Sequence, residues 1–385
     1  MLLSSIFNIK IKSHRIVLNA IRQHKEISGA QLSRITQYQP STLVYILRTL
    51  EKRGLIEVSR IGKSTSAGGK PPTLWRLVAD KGYIIGLEII PHKIRTTVVD
   101  FSSAIIYQHI DTLEKNINAE EDSFILAEFL QNTITKLNLP NSAIIGVGMT
   151  FSGIVDRKKR IICYSEDLGI KNLAFCDTLE SQLGIPVRIA NDANAGALGI
   201  KWYQNPKQEF PSTIVFISFN EMYTGMGAGL ILHNELYEGT SGSAGEILPY
   251  QPKIDGLLEE GLKKYGENNL KLDIRTKKKI PMMEIVESAK NGCQISGFLL
   301  ENISQIIAEM ITTIIGLINP DSIVIGGDLN IGQFIVNGYI RPKVEKECDQ
   351  FFQTGVTIPP MIVSEFGIYS VSIGATTLIL EEIFS

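Results

Sequence analysis

Charge is divided unevenly along this chain, and the division constrains it to more than one folding unit. Residues 1–80 hold 13 Lys and Arg against 4 Asp and Glu, a net of +9, whereas all 385 residues sum to −2, so the remaining 305 carry −11. A basic head on an acidic body is expected to meet two different partners, the head a polyanion and the body something neutral or small. The length, roughly two to three times that of a common domain, agrees. With 44% hydrophobic and 20% charged residues the chain is neither a disordered polymer nor a fibrous repeat. Its longest apolar runs are broken by Ser, Glu, Gly or Asn, so no membrane-spanning helix is expected. The opening Met1-Leu2-Leu3 lacks the basic flank and cleavage site of a secretion signal. A cytoplasmic protein is the expectation. Cys163, Cys176, Cys293 and Cys348 form no Cys-x-x-Cys pair, which suggests reduced, mostly buried thiols rather than disulfides or a zinc site.

In the head, Ile16, Val17, Ala20 and Ile21 recur at helical spacing, and Ser28 with Gln31 makes a capping box for a second helix through Ile35. Pro40 suits a first helical turn, Leu43, Ile46, Leu47 and Leu50 form the next apolar stripe, and Gly54 ends it. That stripe leaves Ser41, Thr42, Tyr45 and Arg48 facing outward. Helix, short polar turn and helix is the spacing of a helix-turn-helix, whose second member lies in the DNA major groove. Residues 55–60 and 73–78 read as a two-stranded wing. Its tip, with Lys63, Gly69 and Lys70, is basic and small enough to follow phosphates or enter a minor groove. Operator DNA is the partner this head implies; for the wing taken alone, an interdomain linker is the plainer alternative.

Beyond residue 82 the period changes. Strands are expected at 83–90, 94–101, 104–110, 144–150 and 187–190, with a helix over 119–137. A second round follows at 213–219, 227–233 and 323–326, with a long helix over 295–318. Two such rounds imply a duplicated α/β body with a cleft between its lobes. The expected division is a DNA-binding domain over 1–80, a first lobe over 81–200 completed by a C-terminal helix over 369–385, and a second lobe over 201–368.

Five stretches carry a resemblance: Gly146-Val147-Gly148-Met149-Thr150-Phe151-Ser152-Gly153-Ile154-Val155-Asp156, Asn191-Asp192-Ala193-Asn194-Ala195, Thr224-Gly225-Met226-Gly227-Ala228-Gly229, Gly242-Ser243-Ala244-Gly245-Glu246-Ile247 and Ile323-Val324-Ile325-Gly326-Gly327. In this order they resemble the ROK family, which groups sugar kinases with sugar-responsive repressors on an actin-like, ribonuclease H-like fold. The head, with Gly68-Gly69-Lys70-Pro71-Pro72 at its wing, is similar to the repressor branch, so the likeness covers nearly the whole chain. A sugar presents hydroxyls that both donate and accept, so its pocket needs carboxylates and amides. Asn191, Asp192 and Glu246 supply them, although Asp192 could simply cap the helix it opens. The resemblance implies that these three contact sugar hydroxyls, that Ser152 and Gly153 lie beside them, and that Asp192 would be the base in a kinase.

Departures from the family pattern decide between its branches. Kinases of the family carry Asp-x-Gly-Gly-Thr in the first hairpin; here the chain reads Glu88-Ile89-Ile90-Pro91-His92. Pro91 offers no N–H and Ile90 is unsuited to positive φ, so the phosphate cradle is missing, and phosphoryl transfer depends almost wholly on such positioning. Zinc-binding members have a His where this chain has Pro249, and residues 250–292 contain no Cys, so no metal or other cofactor is expected. Tyr250 and Gln251 are candidates to hold Glu246 in its place, and residues 253–280 read as a solvated insertion. The expectation is a non-enzymatic repressor of carbohydrate-utilisation genes, a homodimer or dimer of dimers, that binds operator DNA and takes a sugar or sugar phosphate into its cleft. An ATP-dependent sugar kinase retaining the head is the rival, favoured by Asp192. A regulator signalled by a protein partner, its cleft vestigial, is a third reading.

Overall fold

The computed structural model describes residues 1–61, 71–203, 211–219, 226–247, 253–266, 282–327, 335–352 and 355–385. The head is built of α1 (Lys12–His24), α2 (Gly29–Thr36) and α3 (Pro40–Lys52). The capping box forms: Ser28 Oγ accepts from the Gln31 N–H at 3.3 Å and Gln31 Oε1 accepts from the Ser28 N–H at 3.0 Å. Pro40 sits in the first turn of α3, where its missing N–H costs nothing. The expected hairpin is present as β2 (Ile56–Ile61) and β3 (Thr73–Leu77), but the sheet has three strands, because β1 (Ile27–Ser28) pairs with β3. A two-residue strand is too short to show a period. The hairpin tip, with Lys63, Gly69 and Lys70, lies outside the described residues.

The body holds two five-stranded sheets of the same design. The first contains β4 (Tyr83–Ile90), β5 (Lys93–Asp100), β6 (Ile105–Thr112), β7 (Ile144–Phe151) and β11 (Val187–Asn191), in the order β11-β7-β4-β5-β6. The second contains β12 (Ile214–Phe219), β13 (Met226–Leu232), β14 (Glu235–Leu236), β15 (Ser322–Gly327) and β16 (Met361–Val363), in the order β14-β13-β12-β15-β16. In each, a three-strand antiparallel meander is followed by two parallel strands, so the duplication expected from the sequence is realised in topology. Three short strands missed in the sequence, β8 (Ile154–Asp156), β9 (Ile161–Ser165) and β10 (Ile170–Leu173), form a small antiparallel sheet after β7.

Helices α6 (Asp192–Trp202) and α11 (Ser370–Phe384) run between the two large sheets. α11 packs on β4 and β7, α6 on β12 and β13, and the helices pack on each other. Glycines allow the approach at every layer. A Cβ on Gly148 would lie 1.8 Å from the Ala375 carbonyl oxygen, one on Gly374 2.0 Å from that of Ala195, and one on Gly229 2.1 Å from that of Ala193. The obstacles are backbone atoms, which cannot swing aside.

Two expectations need correction. Residues 254–265 are not solvated insertion but α7 (Ile254–Tyr265), whose Leu257, Leu258, Leu262 and Tyr265 pack on the second core; flanking Lys and Glu dilute its apolar stripe. Residues 267–281 lie outside the described part. Among the described residues, the interrupted apolar runs do produce two helices long and apolar enough to cross a bilayer, α9 (Gln294–Ile318) and the C-terminal helix. Their apolar windows are 61% and 78% buried, the place a helix hydrophobic all round takes in a protein core. Cys176, Cys293 and Cys348 are buried and Cys163 is exposed, and no disulfide joins any of them.

Because Gly374 meets backbone, Gly374→Ala is expected to lower stability by about 1–3 kcal/mol in denaturant unfolding. Gly297→Ala, in α9 with nothing within 4 Å of its Cβ, should instead raise it by about 0.5–1 kcal/mol.

Candidate functional site

The site forms where β7 and β11 end. These strands are parallel neighbours with Asn191 opposite Phe151, so the turn after β7 and the start of α6 come together. Asn191 has the extended backbone of a helix N-cap; its Oδ1 accepts from the Asn194 N–H at 3.0 Å, and its Nδ2 donates to the Gly153 carbonyl at 2.8 Å. The capping role considered for Asp192 therefore belongs to Asn191, which also ties the two segments together. Gly153 has φ +90°, and a Cβ there would lie 2.3 Å from the Tyr164 carbonyl oxygen, so only glycine makes this turn. The Ser152 hydroxyl is 3.1 Å from that of Ser165.

Asp192 is the first residue of α6, and its Oδ1 accepts from the Ala193 N–H at 2.8 Å. Burial pushes its carboxyl up to about 7; the Ala193 N–H opposes the shift, while the Glu246 and Asp167 carboxylates add to it. Glu246 arrives from the other side of the molecule. It bridges to Gly227 at the start of β13, the Ala228 N–H donates to the Gly245 carbonyl at 2.9 Å, and a Cβ on Gly227 would lie 3.2 Å from that of Ala193. Burial raises the Glu246 carboxyl as well. Asp167, in the turn between β9 and β10, joins this cluster without having been anticipated. An acidic residue in a polar loop carries no signal in sequence, since what recruits it is the fold of a sheet too short to foresee.

The hairpin that holds phosphates in kinases is closed. Pairing of Ile90 with Lys93 leaves only Pro91 and His92 in the turn, with His92 at φ +57°. The His92 N–H donates to Asn116 Oδ1 at 2.9 Å, and its carbonyl accepts from the Leu113 N–H at 2.8 Å. Two residues before Ile90, Glu88 lies opposite Arg95 and accepts from its Nη1 at 3.1 Å, both buried. Thr224, Gly225, Pro249, Tyr250 and Gln251 lie outside the described residues.

On α3, Ser41, Thr42, Tyr45 and Arg48 are all exposed, Tyr45 by 65%, with its ring edge-on to His14 at 6.1 Å. Val44 shares this face and was not anticipated. Arg60 and Arg76 are paired with Glu26 and Glu57 at 2.8 and 2.7 Å, so part of the head's positive charge is neutralised locally. A cavity of about 1480 Å³ lies between head and body, away from the carboxylates, bordered by Arg22, Arg76, Trp202, Tyr203 and Phe366.

The ROK family model matches residues 84–253 and 257–382. A xylose repressor of Bacillus spizizenii is 26% identical over 380 residues, covering 97% of this chain and 96% of the relative. Among solved structures, a ROK family transcriptional regulator described as a homologue of the Escherichia coli MLC protein superposes with a TM-score of 0.74 at 18% identity, over 97% of each chain. A ROK family glucokinase from Streptomyces griseus, in complex with glucose and AMPPNP, superposes with a TM-score of 0.62 at 19% identity, over 78% of this chain and all of the other. These two share its fold. With the family model spanning both large sheets and the helices between them, the chain belongs to the ROK family.

Proposed function

We propose that this chain is a sugar-responsive transcriptional repressor of carbohydrate-utilisation genes, acting in the cytoplasm as a homodimer or dimer of dimers. Residues 1–80 form a winged helix-turn-helix, residues 81–200 with the C-terminal helix a first lobe, and residues 201–368 a second. The carrying observation is a combination: a basic head with an exposed polar helix face stands on a ROK body that keeps its carboxylates and has closed its phosphate hairpin. The xylose repressor aligned over nearly the full length supports the regulator over the kinase. In this reading Ser41, Thr42, Tyr45 and Arg48 enter the major groove, Lys63, Gly69 and Lys70 follow the minor groove or phosphates, and Ser152, Gly153, Asn191, Asp192 and Glu246 bind the sugar.

The effector is a neutral sugar rather than a sugar phosphate. Asp192, Glu246 and Asp167 share the site, and the adjoining segments 220–225 and 248–252 contain no Lys or Arg to offset a phosphate. D-xylose is the first candidate, from the relative's name. Formation of ADP from ATP in the presence of D-xylose or D-glucose, abolished in Asp192→Asn, would assign the chain to the kinases instead.

Asp192 makes binding pH-dependent. Sugar hydroxyls donate to its ionised form, so D-xylose affinity is expected to rise through about pH 7, with protons released on binding in calorimetry. Asp192→Asn should remove that dependence and weaken binding by about 10- to 100-fold, the worth of a charged hydrogen bond. The sign for stability is opposite. A carboxyl raised on folding contributes its full stability only below the ordinary carboxylate range and loses it progressively up to about pH 7, so the melting temperature of Asp192→Asn should gain on that of the parent across this acidic range and keep a constant lead above neutrality. At the head, Arg48→Ala is expected to reduce DNA affinity and, if Arg48 meets a phosphate, to lower the slope of log affinity against log salt by about 1.

A further inference from the structure

We propose that α6 is the lever joining the two sites: sugar held at Asp192, its first residue, is reported to the head at Trp202, its last, through the guanidinium of Arg22. The inference rests on the sugar- and DNA-binding reading above and adds the route between them. α6 is 11 residues long, about 16 Å, and spans from the carboxylate cluster to the base of the head.

Arg22 belongs to α1, and its guanidinium lies 3.9 Å from the centre of the Trp202 ring. Its Nη1 donates to the Trp202 carbonyl at 3.3 Å, so it engages one of the carbonyls left open where α6 ends, and its Nε donates to Asn19 at 3.0 Å, which fixes it to its own helix. Burial pulls Arg22 down to about 10, leaving it charged at neutral pH. A buried cation with its partner displaced is costly, so α1 has to follow Trp202 rather than release it.

The remainder of the junction is suited to such a motion. Along α6, Ala193, Ala195 and Gly199 meet α11 and β13 at backbone distance and Gly196 meets the Phe216 ring, so α6 can pass on a displacement only as a rigid body. Phe7, Phe101 and Phe384 stack at 5.3 and 5.4 Å, joining head to body as a pivot, and Trp202 stands edge-on to Phe384 at 5.8 Å. Beside the Arg22 contact, one side of the head borders the cavity of about 1480 Å³, while Phe7 and Ile21 pack on Phe101, Ile379 and Phe384 in a shared core, so the head has room to turn on the cavity side alone.

The chain has two tryptophans, Trp75 and Trp202, so Trp75→Phe in the full-length protein leaves Trp202 as its own reporter. D-xylose, D-glucose and N-acetyl-D-glucosamine are titrated by calorimetry and by Trp202 emission. DNA affinity is measured on a duplex that the protein itself selects from a randomised pool. The expected result is a change in Trp202 emission with the calorimetric midpoint, and a sugar effect on duplex affinity of about 5- to 150-fold. In Arg22→Lys and in Trp202→Phe, sugar and duplex should each bind within about threefold of the parent, while the effect of one on the other falls below about threefold. Sugar that binds and releases DNA with Trp202 emission unchanged, or variants that keep the parental effect, would overturn the lever and leave the regulator reading intact. Failure of all three sugars to bind, or binding without effect on the parent's DNA affinity, would overturn both.

Discussion

The architecture depends on two helices held between two sheets at backbone contact distance. α11 lies on the first sheet, α6 on the second, and each interface closes through a glycine opposite a carbonyl. Such contacts exclude water and side chains alike, so the lobes cannot drift apart locally without opening voids in a close-packed interior. They also settle where function can reside. The interior of the stack is tightly packed, and among the described residues the two ends of α6 lead to the carboxylates and to the cavity where the head meets the body.

That placement explains the electrostatics of the carboxylate cluster. Asn191 is spent on capping α6 and on holding Gly153, so the next residue, Asp192, is delivered to the first turn of the helix with its orientation fixed. The helix terminus favours a negative charge there, but burial and two neighbouring carboxylates outweigh it, and the carboxyl keeps its proton to about pH 7. An acid balanced this closely is sensitive to whatever replaces its lost water. Sugar hydroxyls can do so without bringing charge, whereas a phosphate would bring a further negative charge into a cluster that already resists ionisation.

Much of this fold is legible in the sequence because long elements with a clear period were involved. The strands of the first sheet, α1 to α3, the long α9 and the Ser28–Gln31 box follow from spacing and capping chemistry alone. The misses share a physical cause. β1 and β8 to β10 run to five residues or fewer, below the length at which alternation can be detected, and α7 hides its stripe among charged residues. At the site, Asn191 and Asp192 are both good caps, and only the hydrogen bonds show which one performs it. Asp167 could not be found at all, because its proximity to Asp192 arises from tertiary folding of the small sheet.

The hairpin between β4 and β5 can change its turn residues while keeping its fold. In the register observed, Ile90 pairs with Lys93 and the turn is reduced to Pro91 and His92, whose N–H and C=O are both satisfied within the protein. No backbone donor of His92 is left pointing outward to hold an anion, and the Glu88 carboxylate faces Arg95 across the hairpin. The strand pairing that builds the first sheet, and through it the seat for α11, is unaffected, because it needs only ladder hydrogen bonds and an apolar face. The turn residues are therefore separable from folding at this hairpin. The carboxylate cluster is not separable in the same way, since Asn191 and Gly153 serve the packing of α6 as well as the site.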